Sequence, residues 1–230
     1  MKKQDVGFIV FVIILFSPFF LSEQVFAFYD SFNKEHGMVT SFVKFAILAT
    51  MGESIGLRIR NGVYNQKGFG LLPRAIVWGF IGLTIKLAFV IFATGTPAFL
   101  EYVGVNKAAA VMGEGFSMKK LLVAFSISTA MNLIFAPVFM TFHKITDTHI
   151  IRNGGSLTGF FKPIQFGDII THLDWSVQYN FVFKKTIPFF WIPAHTITFL
   201  LPPQYQVLFA AVLGIVLGVL LATASLKSAK

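Results

Sequence analysis

The 230-residue chain contains no cysteine, which excludes a disulfide scaffold, a thiolate zinc site and a cysteine nucleophile. Charged residues are also scarce. They make up 13% of the chain, about half the share that soluble domains carry. Hydrophobic residues make up 55% of the chain, and its mean hydropathy is +0.73. This composition excludes an ordinary soluble domain and predicts a domain that folds in a lipid bilayer.

Acidic residues are the rarest charged type, with 10 Asp and Glu against 19 Lys and Arg and a net charge of +9. In a soluble protein such an excess would suggest nucleic acid as a partner. In a membrane protein it is first explained by basic loops on the cytoplasmic side. We therefore predict the lipid bilayer as a partner and no nucleic acid.

Long hydrophobic runs are what the sequence has in abundance. A bilayer core about 30 Å thick requires roughly 20 apolar residues per helix. The candidate spans are residues 6–22, 39–57, 75–96, 121–142, 186–201 and 205–224. The fifth is short and interrupted by prolines, so it either crosses the bilayer or only enters it. We predict an all-α polytopic membrane helix bundle with five to six hydrophobic spans, plus one interfacial amphipathic helix.

The interfacial helix is predicted in the longest loop, where apolar residues recur at helical spacing between Phe166 and Gln178. Trp175 and Tyr179 suit the depth of the lipid headgroups.

The N-terminal segment, residues 1–28, is either a transmembrane helix or a signal sequence. Two lysines, an apolar core and Val25-Phe26-Ala27 resemble a secretory signal with a small residue at the cleavage point. The Glu23-Gln24 pair fits that pattern poorly, and an uncleaved helix is favoured. The lysine-led start is typical of a bacterial protein. Residues 29–230 then form a single membrane domain.

The distribution of Lys and Arg predicts both termini in the cytoplasm of a bacterial cell, with the protein in the inner membrane. Loops on the opposite side hold Lys34, Lys107, Lys119 and Lys120 beside several acidic residues. The basic residues predicted to be cytoplasmic are Lys2, Lys3, Arg58, Arg60, Lys67, Arg74, Lys144, Arg152, Lys162, Lys184, Lys185, Lys227 and Lys230.

Ionisable side chains within the spans are candidates for function, because their burial in hydrocarbon is costly. Three occur: Lys44, Glu53 and Lys86. Lys86 either lines a path for anionic or polar solutes or is a structural lysine paired with Glu53. Counted from the cytoplasmic end, Glu53 lies roughly 6 Å deep and Lys86 roughly 16 Å deep, so that pair requires Lys86 to reach downward. For Lys44 the structural interpretation is favoured.

Glycines at four-residue spacing predict close helix contacts. The two pairs are Gly52 with Gly56 and Gly214 with Gly218. Packing within one chain is favoured, and a homo-oligomer is the alternative.

The sequence offers little for catalysis. His143, Asp147 and His149 are close in sequence, but their spacing is a weak match to a metal site, and loop residues beside a span are the favoured interpretation. Hydrolase, phosphate-loop and H-E-x-x-H motifs are lacking. We predict no enzyme, no metal and no cofactor.

The C-terminal part resembles a known signature. The stretch W-I-P-A-H-T-I-T-F at 191–199, P-P at 202–203 and Y-Q-V-L-F-A at 205–210 is similar to that of the Mpv-type peroxisomal and mitochondrial inner-membrane proteins, which include a small peroxisomal membrane channel. Shorter matches lie at residues 73–80 and 132–139 and at Gly52-Glu53. The chain departs from the family at His195, Thr198 and Gln206, where the family has glutamine, asparagine and arginine.

The resemblance covers about residues 40–224 and implies a four-helix core with the first span as an addition. It also implies a weakly selective channel or transporter-like pore for small metabolites, with anionic ones among the candidates, so the partner is a small-molecule solute. The predicted polar lining is Lys86, Glu53, Asn132, His195 and Thr198. A polar crevice between the second, third and fourth spans is expected in that case.

The alternative function is a membrane assembly or lipid-interacting factor that transports nothing. The amphipathic segment near residues 166–178 and the 16% aromatic content motivate it. A sealed interior, with Lys86 neutralised by Glu53, is expected in that case. An enzyme ranks third and requires a carboxylate or histidine cluster in an accessible cleft.

Overall fold

The computed structural model describes residues 2–228, and the side chains as far as Thr223. In this part of the chain 83% of residues are helical and there is no β-strand. The predicted all-α fold is confirmed. Lys230, assigned above to the cytoplasmic tail, lies outside the described residues, and so does the side chain of Lys227.

Five helices are long and apolar enough to cross a membrane, as in an integral membrane protein. They correspond to the first, second, third, fourth and sixth predicted spans. Their bounds are α1 Lys3–Leu21, α3 Gly37–Asn61, α4 Leu71–Tyr102, α5 Met118–Arg152 and α10 Pro203–Ser228. Helix α2, Glu23–Glu35, lies between the first two. Helices α4 and α5 have 32 and 35 residues, so both continue well beyond the hydrocarbon length assumed for the predictions.

The fifth predicted span is a helical run wound in two ways. A three-residue α8, Trp175–Val177, leads into a π-helix over Gln178–Trp191, and α9, Ile192–Leu200, follows. Pro188 within the π-helix has no N–H to donate, which favours wider turns over a regular α-helix. This run lies antiparallel to α5, where the Ser128 hydroxyl donates to the Ile192 carbonyl at 2.7 Å.

The predicted interfacial helix forms as two short helices. Helix α7, Phe166–Thr171, is followed by His172 as its C-cap, and α8 begins after Asp174. The Asp174 carboxylate accepts a hydrogen bond from the Val177 backbone at 2.9 Å, and this N-cap starts a new helix where the periodicity predicts continuation. Before them, α6, Leu157–Phe160, forms one further turn.

Helix α3 lies between α4 and α10. Antiparallel α4 approaches it through Gly79 and Gly82, where an added Cβ would lie 2.5 Å from the Phe42 ring and 2.6 Å from the Ser41 carbonyl oxygen. Parallel α10 approaches it at Gly52, where an added Cβ would lie 3.0 Å from the Ile215 Cα. Small residues thus let three backbones meet closely.

The four glycines predicted to pack helices have different surroundings. Gly52, Gly56 and Gly218 lie at the contact between α3 and α10: a Cβ on Gly218 would be 3.4 Å from the Gly52 carbonyl oxygen. Gly214 lies on the wall of a cavity, and a Cβ there would meet no atom within 4 Å. Its side of α10 therefore faces open space.

Both described ends of the chain lie at one end of the bundle, here called the loop end because the α3–α4 loop, residues 62–70, forms it. Arg58 binds the Asp5 carboxylate of α1 through Nε at 2.7 Å and Nη2 at 2.9 Å. Phe8 stacks on Tyr64 with ring centroids 4.4 Å apart. Helix α10 runs parallel to α3 and so heads to the same end.

The opposite half of the bundle holds the packed core. Val123, Ala124 and Ile127 of α5 are fully buried there, beside Phe89 of α4 and Phe199 of α9. The α4–α5 connection covers this half, and its Ala108 is fully buried as well. The interior toward the loop end is open.

We expect Gly52→Val to destabilise the fold, because the new side chain meets the Ile215 backbone, which cannot rotate away. Overpacking of this kind costs about 1–3 kcal/mol. Gly214→Val is the matched control on α10, since open space receives its side chain. Thermal unfolding of the purified proteins in detergent, at one scan rate, measures both. Equal losses in melting temperature would contradict the tight α3–α10 contact.

Candidate functional site

A cavity of about 770 Å³ occupies the open half of the bundle. Its wall is formed by α3, α4, α5, the π-helix with α9, and α10. At the loop end its wall includes the exposed residues Arg60, Lys67 and Lys144, here called the rim. Its inner end is formed by Phe89, Asn132 and His195, next to the packed core.

Arg74 is the central side chain of the wall near the rim. It is 8% exposed and forms ion pairs with Glu53 of α3 and Asp147 of α5. Its Nε also donates to the Phe69 carbonyl at 2.6 Å. A guanidinium offers five donors in a planar fork, so it can bind two carboxylates and a carbonyl together. This one side chain therefore links three helices.

The second oxygen of Glu53 is also bound. The Trp78 indole N–H donates to it at 2.8 Å, and His143 Nε2 lies 3.2 Å from it. The Trp78 and His143 rings are 4.4 Å apart between centroids. Glu53, Arg74, Trp78, His143 and Asp147 are called the network below.

The network answers the question about Glu53 left open by the sequence. The partner of Glu53 is Arg74, not Lys86. Lys86 is half-buried and lies outside the cavity wall, with its Cε 3.4 Å from the place of a Cβ on Gly37. The described residues give Lys86 no hydrogen bond or ion pair. The predicted lining role of Lys86 therefore does not match its position.

Lys44 is held by α2, which the hydropathy pattern did not identify as an element. Its ammonium donates to Asn33 Oδ1 and lies 5.3 Å from the centroid of the Tyr29 ring. The structural interpretation of this lysine agrees with these contacts.

Two of the predicted polar residues line the inner end and a third supports them. Asn132 is 2% exposed, and its Nδ2 donates to the Ser128 carbonyl at 2.9 Å. His195, 7% exposed, stacks on Trp191 with ring centroids 5.1 Å apart. Thr198 is fully buried behind His195, with Oγ1 3.3 Å from His195 Nδ1, and is not part of the wall.

Between the network and the inner end, the wall is aromatic. Phe135 and Phe139 stack with centroids 5.7 Å apart, and Phe139 meets Trp78 edge-on at 6.4 Å. Trp191 of the π-helix also lines this section. A solute in this section contacts rings, not charges.

The sequence-based prediction missed Arg74, Trp78, His143 and Asp147 because it placed three of them in loops. They lie within α4 and α5, as two pairs at i and i+4. Residues at that spacing share a helix face. This spacing was the available signal. His149, the third member of the weak metal pattern, instead has Nε2 3.1 Å from the Phe160 carbonyl. Among the described residues no group of three or more His, Asp or Glu could hold a metal ion.

Comparison with known proteins gives no match to a family model, a curated protein or a solved structure. The Mpv-type resemblance stays a prediction.

We expect Arg74→Ala to destabilise the protein, since it leaves two partly buried carboxylates without their cation. Breaking a buried ion pair from one side costs about 3–5 kcal/mol, and the low end applies because Glu53 and Asp147 each keep about a fifth of their surface. Arg60→Ala removes a rim cation that has no ion pair among the described residues and is the control. Thermal unfolding at matched detergent concentration compares them. Arg74→Lys keeps the charge without the planar fork, so its loss of melting temperature should be smaller than that of Arg74→Ala and larger than that of Arg60→Ala. A variant Arg74→Ala as stable as Arg60→Ala would contradict the linking role.

Proposed function

We propose that this integral membrane protein is a channel or transporter-like pore for small solutes and that the cavity is its solute chamber. The observation that carries the proposal is the cavity itself. It enters the bundle among five helical walls and extends from charged residues at the loop end to buried polar groups at Asn132 and His195. Pockets of this volume suit small-molecule ligands.

The charges of the wall favour anionic solutes. Four cationic side chains, Arg60, Lys67, Arg74 and Lys144, stand against Glu53 and Asp147. Both acidic groups are bound to Arg74, so the rim cations remain for a solute. A cleft lined by one sign of charge with low-dielectric walls concentrates ions of the opposite sign.

A complete path requires a second conformation, because the packed core closes the inner end. The helical run from Gln178 to Leu200 supplies an element suited to movement. Wide π-turns and Pro193 in the first turn of α9 interrupt its regular bonding, and helices bend at such places. Movement of this run away from α5 would open the chamber toward the far end.

We also propose the bacterial inner membrane as the setting, with the loop end and both termini in the cytoplasm. The support is that Lys2, Arg58, Arg60, Lys67 and Lys144 gather at one end, as basic residues on the cytoplasmic side do. The chamber would then open to the cytoplasm.

Gly214→Trp is the direct test of the chamber. The indole would enter open space in the cavity, so we expect the fold to persist and solute flux to fall at least tenfold. Val212→Trp, on the same helix but 40% exposed at the protein surface, is the matched control and should retain flux. Flux of small organic anions into liposomes, against empty vesicles, is the measurement. Absence of flux for the wild-type protein would refute the transport proposal.

The double variant Lys67→Glu with Lys144→Glu tests the rim. Reversing two exposed charges should lower the preference for anions over cations by roughly tenfold at low ionic strength. The effect should shrink as salt is added, because exposed charges are screened. Ion selectivity in planar bilayers or vesicles measures it. Lys86→Ala, outside the wall, is the control and should leave the preference unchanged. An unaltered preference in the double variant would remove the rim from the proposal.

A second function, lipid binding without transport, is favoured by one observation: between the network and the closed inner end the cavity is lined mainly by aromatic and aliphatic side chains. In that case purified protein would retain lipid, Gly214→Trp would release it, and no solute would cross.

We propose no enzymatic activity. The network does bring His143 and two carboxylates into a cleft, but Arg74 binds both carboxylates and Trp78 also binds Glu53. Neither carboxylate is free to act as a general base.

A further inference from the structure

We propose that the chamber selects elongated aromatic monoanions that carry a neutral hydrogen-bond donor at the end remote from the charge. This inference rests on the proposed function, since it names the class of solute for the same cavity. Three sections of the wall, from the rim inward, each supply one part of it.

The rim supplies the site for the negative charge. Arg60, Lys67 and Lys144 are exposed, and the described residues provide none of them with an ion pair. Arg74, the remaining cation of the wall, is already bound by two carboxylates and a carbonyl. An entering anion therefore finds its available partners at the rim, where water also solvates its carboxylate.

The middle section supplies the fit for an aromatic body. Trp78 of α4, Phe135 and Phe139 of α5 and Trp191 of the π-helix all line this section with their rings. Offset and edge-to-face ring pairs gain energy beyond the burial of area. Along α4, Phe89 at the inner end lies eleven positions after Trp78 at the network, which is roughly 16 Å of helix. A body of two linked rings spans that length better than a single ring does.

The inner end supplies a hydrogen-bond acceptor at His195. The Thr198 hydroxyl donates its one proton to the Ala194 carbonyl at 3.0 Å. Thr198 Oγ1 can therefore only accept from His195 Nδ1, which lies 3.3 Å away. This bond fixes the proton of a neutral ring on Nδ1 and leaves Nε2 as an acceptor. Within the described chain, Nε2 has no donor.

Asn132 adds a second acceptor. The Ser128 hydroxyl donates to the Ile192 carbonyl, so the Asn132 amide group that bonds Ser128 must be the donor Nδ2. Oδ1 is then left without a donor from the described residues. Both acceptors belong to side chains at least nine-tenths buried, where an unmade hydrogen bond is costly.

Two acceptors without donors also determine which solutes are rejected. A hydroxyl or amino group at the inner end satisfies them, whereas a second carboxylate would bring its own lone pairs and charge against them. Trp191 Nε1 and Gln178 Nε2 are donors without a partner in the same wall, but both atoms are fully buried and offer no surface to a solute. Dianions with a carboxylate at each end are thus disfavoured although the rim attracts them.

The test is calorimetric binding to the full-length protein in lipid nanodiscs, with empty nanodiscs as the blank. The probes are 4'-hydroxybiphenyl-4-carboxylate, 4'-fluorobiphenyl-4-carboxylate, which has no donor, and 4-hydroxybiphenyl, which has no charge. We expect the hydroxyl compound to bind about tenfold more tightly than the fluoro compound. The uncharged compound should bind more weakly, with no dependence on salt. Equal affinity for the hydroxyl and fluoro compounds would overturn the inference.

His195→Phe locates the effect. It keeps a ring against Trp191 and removes the acceptor, so the preference for hydroxyl over fluoro should disappear while the affinity for the fluoro compound stays within about threefold. Asn132→Leu, of similar size, is the second variant and should reduce the same preference. A preference unchanged in both variants would overturn the assignment to the inner end. If His195→Phe does not fold, Asn132→Leu and the wild-type comparison decide.

Binding and flux separate this inference from the proposed function. Flux of simple anions without any hydroxyl preference refutes the solute class and leaves transport standing. Selective binding without flux refutes transport and leaves the chamber as a binding site for this class.

Discussion

The sharing of the Arg74 guanidinium between Glu53 and Asp147 is the interaction on which the open half of the bundle depends. Helices α3 and α5, which run toward the loop end, meet the start of α4 there around one cation that is 8% exposed. Apolar packing holds the far half of the molecule, where the core is continuous. Near the loop end the same helices border a cavity of about 770 Å³, and packing across that space is absent. The ion pairs link the helices in place of that packing. Moving one helix away would leave a partly buried carboxylate or the guanidinium without its partner, which is costly.

That arrangement requires the helices to be close elsewhere. Gly79 and Gly82 bring α4 against α3, and Gly52 brings α10 against it from the other side. Because α3 is packed on both sides, its register against α4 is fixed, and Glu53 lies beside Arg74 and Trp78. Shifting α3 by one turn would place larger side chains into the glycine contacts. The cavity is consequently a feature of helix geometry: glycines bring the helices close together at some levels, and at others the helices border open space lined by aromatic side chains.

The long helices could be predicted because hydropathy is a local property of roughly 20 residues. The fifth span, 186–201, was predicted as a short segment interrupted by prolines, but its π-turns and its start at Gln178 were not, since hydropathy carries no information on how a helix is wound. Glu53, Asn132 and His195 were found on the wall because a polar residue in an apolar span usually faces protein or a cavity. Arg74, His143 and Asp147 were missed because the predicted spans had only the hydrocarbon length: the third, 75–96, began after Arg74, and the fourth, 121–142, ended before His143 and Asp147. Lys86 was placed on the wall because depth along a helix says nothing of the direction in which a side chain points.

The cation that links the helices is different from the cations to which we assign attraction of the solute, and this separation allows the two roles to be tested one at a time. Arg74 already binds two carboxylates and a carbonyl, so its substitution lowers the stability of the fold and does not report on solute binding. The rim residues Arg60, Lys67 and Lys144 lack ion pairs among the described residues and are exposed to water, so substituting them costs little stability. His195 and Asn132 lie at the other end of the chamber, where no charged residue lines the wall and where the proposal assigns the discrimination between similar solutes to hydrogen-bond acceptors. Attraction at the rim and discrimination at the inner end are therefore independent, because a change of charge at one does not alter the acceptors at the other.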